Sequence, residues 1–280
     1  RLAFLAYNML LILALPFFIL KLLKVGPDKT TNRLRMAERF AIGLPTKRKG
    51  ILVHAVSVGE VVAVAPIIQG LRRDFPNQAI TLTCSTAAGS ERSQSLFGDD
   101  ITHHYLPFDI SFIIRRLIKR NDFAMVAIFE MELWPNLLKQ CHKNGTPTVV
   151  LNARMTNRSR EKYLKLSAIS KPLFKSLSQV LCQSHRDQDN YKQLGMNQSR
   201  LTVVGNIKFE LNQNEEDIAI AAKFKSRFPP NSVLWVAGST HAPEENIVLD
   251  AFNNLKHEYP QLKLIIVPRH PQRFDDVAAM

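Results

Sequence analysis

The sequence predicts an α/β fold, a parallel sheet covered by helices on both faces, and three observations predict it. Short apolar runs rich in Val, Ile and Leu recur along the chain. The intervals between them carry helical periodicity, and small polar residues gather where each run ends. With 46% hydrophobic and 22% charged residues, the chain is globular rather than disordered. Its 280 residues suffice for about two ordinary domains.

The first element is a long apolar helix. Leu2 to Leu20 is interrupted only by Asn8 and Pro16, and as a helix it extends roughly 28 Å, close to a hydrocarbon core of about 30 Å. A cleaved signal peptide would carry its positive charges ahead of the apolar run and a small-residue cleavage site behind it. Here the charges follow: between Lys21 and Gly50 stand nine Lys or Arg residues against two acids. That order predicts a membrane-anchor helix over 1–24, with the rest of the chain on the cytoplasmic side. Arg33, Arg35 and Arg39 are placed to attract anionic headgroups. The alternative is a buried amphipathic helix.

After residue 50 the chain alternates. Strands are predicted at 51–56, 79–84, 124–129, 147–151, 179–183 and 201–204, with helices such as Val61–Phe75 and Asp109–Lys119 between them. These elements form one predicted domain over 25–212. The polar stretch ELNQNEED at 210–217 breaks the pattern. Strands at 233–237 and 263–267, flanking a helix Glu244–His257, then predict a second α/β unit over 213–280. The chain opens on Arg1 rather than Met, and Met280 falls in what reads as the start of a helix. The second unit is therefore expected to be incomplete.

Cys84, Cys141 and Cys182 are far apart and form no CxxC, the pattern of buried free thiols in a reducing compartment. His103 and His104 do not suggest a metal site, because neighbours on a strand point to opposite faces.

In a doubly wound sheet, ligands bind in the crevice at the carboxyl ends of the strands. Ser57-Val58-Gly59 is that loop after the first strand, and Glu60 opens the next helix. A carboxylate there is favoured by the helix dipole, by about 0.3–1 kcal/mol, so Glu60 reads either as an N-terminal acid or as a functional group. Glu130 and Glu132 with Trp134 follow the strand at 124–129. Asn152 and Arg154 follow 147–151, and Lys208 lies beyond 201–204. Ser239, Thr240 and His241 follow 233–237, with Glu244 and Glu245 in a capping-box arrangement, and Pro268-Arg269-His270 follow 263–267. Neither GxGxxG nor a P-loop is present, so the common nucleotide fingerprints do not apply.

Taken in order, HAVSVGE, AGSERSQ, EMELWPN, NARMTNRS, GNIKFE, GSTHAPEE and VPRHPQRF resemble the 3-deoxy-D-manno-octulosonic acid (Kdo) transferase family of lipopolysaccharide synthesis. The resemblance spans essentially the whole chain. It implies a GT-B glycosyltransferase with two Rossmann-like domains facing a cleft. Kdo would move from CMP-Kdo to a lipid A precursor (lipid IVA) at the cytoplasmic face of the bacterial inner membrane. The acceptor domain would be 25–212, and 213–280 would begin the donor domain.

An inverting transfer needs a base on the acceptor hydroxyl, and by similarity that base is Glu60. Glu130 and Lys208 match transition-state stabilisers. Pro268 and Arg269 match the start of the CMP site, where a fixed cation suits phosphate. Ser239 and Thr240 precede a helix whose N-terminus could receive an anion. Ser57, Gly59, Asn152, Arg154 and Arg158 are acceptor-side candidates. Arg154, Arg158, Arg160, Lys162 and Lys165 read either as contacts to lipid phosphates or as a solvated helix face. No metal or cofactor is implied, because the leaving group carries its own phosphate flanked by Arg and Lys.

Two rivals remain. One is a heptosyltransferase or other GT-B enzyme using a nucleotide-diphosphate sugar. The other is a basic, membrane-tethered protein that binds anionic ligands without catalysis, suggested by the net charge of +13. The basic residues cluster beside the anchor and no aromatic-interleaved basic strand occurs, so nucleic acid is not an expected partner.

Overall fold

A computed structural model of the chain describes residues 2–24, 35–131, 133–209 and 215–280. They fall into two compact units, Arg1–Leu211 and Asn212–Met280.

The first unit is built on seven parallel strands: β1 (Ile51–His54), β2 (Ile80–Cys84), β3 (Thr102–Tyr105), β4 (Met125–Phe129), β5 (Thr148–Ala153), β6 (Gln179–Cys182) and β7 (Leu201–Val203). Their order in the sheet is β3-β2-β1-β4-β5-β6-β7, with β1 and β4 adjacent at the centre. Its helices are α1 (Leu2–Lys24), α2 (Met36–Arg39), α3 (Val58–Asp74), α4 (Ala87–Phe97), α5 (Ser111–Asn121), α6 (Pro135–Asn144), α7 (Asn157–Lys165), α8 (Ser167–Ser176) and α9 (His185–Gln193).

The sheet is covered on both faces. Successive strand residues point to opposite sides, so Ile51 and Val53 join a core with Val61, Val64 and Ile68 of α3. Leu52 joins the opposite core, with Ile113 and Leu117 of α5 and Leu137 and Leu138 of α6. Burial on both faces is why these strands read as unbroken apolar runs. β3 escapes that reading. Its sequence, Thr-His-His-Tyr, forms an edge strand whose first half is only partly buried. His103 and His104 do diverge: His103 bonds Leu82 and Ser90, while His104 bonds the Tyr105 carbonyl.

α1 is long and apolar enough to cross a membrane, yet it is also seated on the first unit. One stripe, Phe4, Tyr7, Asn8, Leu11 and Leu15, faces the domain. The Tyr7 hydroxyl donates to Asp109 (3.0 Å), Asn8 and Asn136 exchange amide hydrogen bonds (3.2 and 3.1 Å), and Asn8 accepts from the Ser111 amide (3.1 Å). Asp109 also takes the amides of Asn136 and Leu137, each at 2.9 Å, and so caps α6. It is buried, and burial pushes its carboxyl up to about 7. α1 is thus docked along its Phe4–Leu15 stripe against the domain that follows.

The basic flank is also used differently than expected. Arg39 is buried, donates to the carbonyls of Leu106 and Ser85, and lies 4.1 Å over the Tyr105 ring. Arg35 pairs with Glu38 at 2.6 Å and lies 4.3 Å from the centre of the same ring. Both cations hold α2 to the sheet edge, so neither is free for headgroups. Arg33 lies outside the described residues.

The second unit pairs β8 (Val233–Thr240) with β9 (Leu262–Pro268) in parallel, accompanied by α10 (Glu215–Lys225), α11 (Glu244–Glu258) and α12 (Phe274–Ala278). β8 runs through Ser239 and Thr240, which the sequence pattern places in a loop. The pairing register shifts between Gly238 and Thr240, and Ser239 has a φ of +60°. Leu262 is well buried, but Val233, Val236 and Val267 are exposed, since two strands bury little surface.

Candidate active site at the carboxyl edge of the central sheet

The chain leaves β1 toward β2 on one side and β4 toward β5 on the other, so the crevice between β1 and β4 is the topological switch point of the sheet. Ser57, Gly59 and Glu60 follow β1 at that point. Ser57 is the N-cap of α3, with Gly59 and Glu60 in the first turn. Glu60 accepts the Val56 amide at 2.7 Å and the Ser57 hydroxyl at 3.4 Å. The carboxylate therefore closes the helix start in the manner of a capping box. A side chain at Gly59 would meet nothing within 4 Å, which leaves open space beside that turn.

Glu130 follows β4 and Asn152 closes β5, and both take left-handed backbone, with φ of +58° and +51°. Asn tolerates that conformation; for Glu it costs roughly 1–2 kcal/mol. Non-glycine strain at the ends of two neighbouring strands is characteristic of functional edges. Asn152 is buried, its carbonyl oxygen Oδ1 accepts the Ile207 amide at 3.1 Å, and its Nδ2 has no protein partner. That contact folds the turn after β7 back over the sheet, and the same turn packs against α3. Lys208 on this turn then donates to Glu130 at 2.8 Å. The structure therefore brings Glu130, Asn152 and Lys208 together, one strand away from the turn that carries Glu60. Glu132 lies outside the described residues.

His54 underlies this edge, and the sequence pattern does not single it out. Its Nδ1–H points at the Thr83 carbonyl and hydroxyl (3.2 and 3.0 Å), and its Nε2 accepts from the Trp134 indole at 3.2 Å. The indole donor fixes the tautomer and pins the loop that carries Glu130. The one sequence signal for it is a histidine at the end of an otherwise apolar strand.

Burial pushes both His54 and His103 down to about 4. Between about pH 6.5 and 4 the unfolded chain then binds more protons than the folded one, and stability falls as pH falls through that window. His54 alone accounts for about 3 kcal/mol of this fall. Asp109, raised by burial, acts in the opposite direction. A calorimetric midpoint should therefore drop between pH 6.5 and 4.5 by clearly more in the parent than in a His54→Gln variant. Equal slopes would refute the buried neutral His54.

Of the basic cluster, Arg154, Arg158, Lys162 and Lys165 are exposed, and no residue of α7 is buried. Arg160 is instead committed to Asn190 and Gln193, at 3.0 and 2.9 Å.

In the second unit, the ends of β8 and β9 lie together. The Arg269 amide donates to the Thr240 carbonyl at 3.0 Å, and Pro268 pairs with Thr240. Pro268 and Thr240 are buried, and Ser239 and Arg269 are exposed. The N-terminus of α11 is already supplied with acids. Glu244 accepts the His241 amide at 2.8 Å, and Glu245, 1% exposed, is gripped by Arg273 at 2.7 and 3.1 Å. That guanidinium holds the Glu245 carboxyl at about 2. The start of α11 thus already carries two engaged carboxylates, beside the exposed Ser239 and Arg269.

The chain matches the family model for 3-deoxy-D-manno-octulosonic-acid transferase (kdotransferase) over residues 34–211. It is 36% identical over 276 residues to the 3-deoxy-D-manno-octulosonic acid transferase of Haemophilus influenzae, covering 97% of this chain and 64% of that protein. The protein of the same name from Rickettsia bellii is 31% identical over 278 residues, again 97% of this chain and 64% of the relative. The chain thus spans under two thirds of the length of these relatives.

Among solved structures, UDP-GlcNAc 2-epimerase from Neisseria meningitidis, bound to UDP-GlcNAc, aligns over 82% of this chain and 69% of its own. The TM-score is 0.58 at 13% identity. A putative UDP-N-acetylglucosamine 2-epimerase from Listeria monocytogenes gives 0.59 at 11% identity, over 83% of this chain and 66% of its own. These likenesses speak to the fold alone, an α/β fold of GT-B type. With the family model covering most of the chain and the relatives nearly all of it, the chain belongs to the 3-deoxy-D-manno-octulosonic acid transferase family.

Proposed function

We propose that the protein carrying this chain is an inverting glycosyltransferase that moves Kdo from CMP-Kdo to a hydroxyl of a lipid A precursor. The observation that carries this reading is the Glu130–Lys208 ion pair, set at the switch point beside the turn that holds Glu60. Glu60 takes the proton from the acceptor hydroxyl, and that oxygen attacks the anomeric carbon. The bond from this carbon to the CMP phosphate oxygen breaks, and the leaving phosphate keeps the electron pair. Glu130 favours the oxocarbenium-like centre, and Lys208 offsets charge on the departing phosphate.

Asn152, Ser57 and Gly59 line the acceptor side, with Arg154 and Arg158 offered to its phosphates. Ser239, Thr240, Pro268 and Arg269 belong to the CMP side, and the reaction as written needs neither metal nor cofactor. α1 attaches the protein to the inner membrane, with the two units on the cytoplasmic face.

The test is a comparison of donors with the full-length protein. Saturable binding of CMP-Kdo and transfer to lipid IVA are expected, with no binding of an ADP-sugar. Binding of the ADP-sugar instead would favour a heptosyltransferase, and binding of neither with retained vesicle binding would favour a non-catalytic protein.

A further inference from the structure

The polarity of α1 is inverted relative to a helix of a water-soluble protein. Tyr7 and Asn8 point into the first unit, where they meet Asp109, Ser111 and Asn136. Leu2, Leu5, Met9, Leu10, Leu13 and Phe17 point away from it and are between 61% and 83% exposed. A surface helix in water shows the reverse pattern, whereas helices in lipid turn their polar groups toward protein.

The surroundings of this face carry one sign of charge. Arg115 and Lys119 of α5, with Lys139 and Lys143 of α6, line a groove of about 950 Å³ against Leu5 and Ile12, and no acid lines it among the described residues. Phe112, at the start of α5, is 60% exposed beside it. These cations take the place of Arg35 and Arg39, which the fold consumes internally.

Length decides how α1 can meet a bilayer. Its docked stripe, Phe4 to Leu15, covers roughly 17 Å of helix. Those residues cannot lie in hydrocarbon while held on a domain surface that bears four cations. What remains, Pro16–Lys24, is about 13 Å long, against a hydrocarbon core of about 30 Å. Docked α1 is too short to cross.

We propose that docked α1 lies in the plane of the membrane interface. Its outer apolar face, Phe112 and the cations Arg115, Lys119, Lys139 and Lys143 form one binding surface for an anionic lipid bilayer. Charge complementarity selects that occupant. A second copy placed on this face by a two-fold axis would set the same four cations against one another. α5 and α6 both start at the carboxyl edge of the sheet, and the groove runs from there along both helices to Lys119 and Lys143 in their last turns. This inference stands whichever sugar is transferred.

The full chain is bound to fluorescent vesicles of phosphatidylglycerol and phosphatidylcholine and then mixed with excess unlabelled vesicles of the same composition. An in-plane helix exchanges between vesicles, whereas an inserted spanning helix does not. Exchange within minutes is expected, and none over hours would overturn the proposal. In a second arm, Arg115, Lys119, Lys139 and Lys143 are changed to Gln, with folding checked by circular dichroism. Affinity for the anionic vesicles should fall on the order of a hundredfold, and affinity for pure phosphatidylcholine by less than about twofold. Unchanged affinity for the anionic vesicles would overturn the assignment of these cations. A stable dimer in detergent-free buffer that ignores vesicles would assign the face to a second copy. The exchange arm needs no variant, so the proposal is tested even where the fourfold variant fails to fold.

Discussion

Glu60→Gln is expected to lower sugar transfer by roughly a thousandfold, the scale of a lost general base. Donor affinity and thermal midpoint should stay near those of the parent. The substitution separates the proposed base from the helix cap that the same carboxylate provides. Glu60 accepts the Val56 amide, which supports the start of α3. A glutamine keeps a carbonyl oxygen for that amide, so the cap survives while basicity is lost. Glu60→Ala removes both and should also cost about 1 kcal/mol of stability. Single-turnover transfer and calorimetry on the full-length protein measure the two effects separately. Transfer by the Gln variant within tenfold of the parent would remove Glu60 as base and leave it as a helix cap.

The second large effect is expected at Lys208 and Glu130. Lys208→Ala should reduce transfer by about 10²–10³-fold, the range for removing one preorganised charge from a transition state, and Glu130→Gln by a similar factor. Stability should hardly change, because the pair is half open to solvent, with side chains 45% and 23% exposed, and such pairs contribute about 0–1 kcal/mol. If the two charges act as one unit, the double variant is no more than about tenfold slower than the worse single variant. Multiplicative losses would show that they act separately, and loss of the folded state with either change would make the pair structural.

Much of the fold is legible in the order of the residues. Strands buried on both faces are mostly apolar, which is why β1, β2, β4 and β5 stand out. The burial of Cys84 and Cys182 also follows from their apolar runs, whereas Cys141, flanked by polar residues on α6, is buried by the packing of that helix. β3 does not stand out, because an edge strand with two histidines carries no apolar run. Arg39 looks like part of a solvated basic flank. No local feature announces that it will be buried against Tyr105, since that depends on a strand more than sixty residues away. Asp109 looks like the start of a helix, and is instead the buried cap of a different helix and the dock for Tyr7.

The sequence by itself determined the class of fold, the strand ends at which polar residues gather, and the resemblance that names the family, because each is written in local patterns of polarity and spacing. Only the tertiary structure decided which of those residues meet. Lys208 reaches Glu130 across 78 positions because Asn152, at the end of β5, holds the turn after β7 over the sheet. Likewise the outward face of α1 was settled by Tyr7 and Asn8 finding partners more than a hundred positions away. Hydrogen bonds and ion pairs of that range depend on how the layers pack, and no stretch of neighbouring residues carries that information.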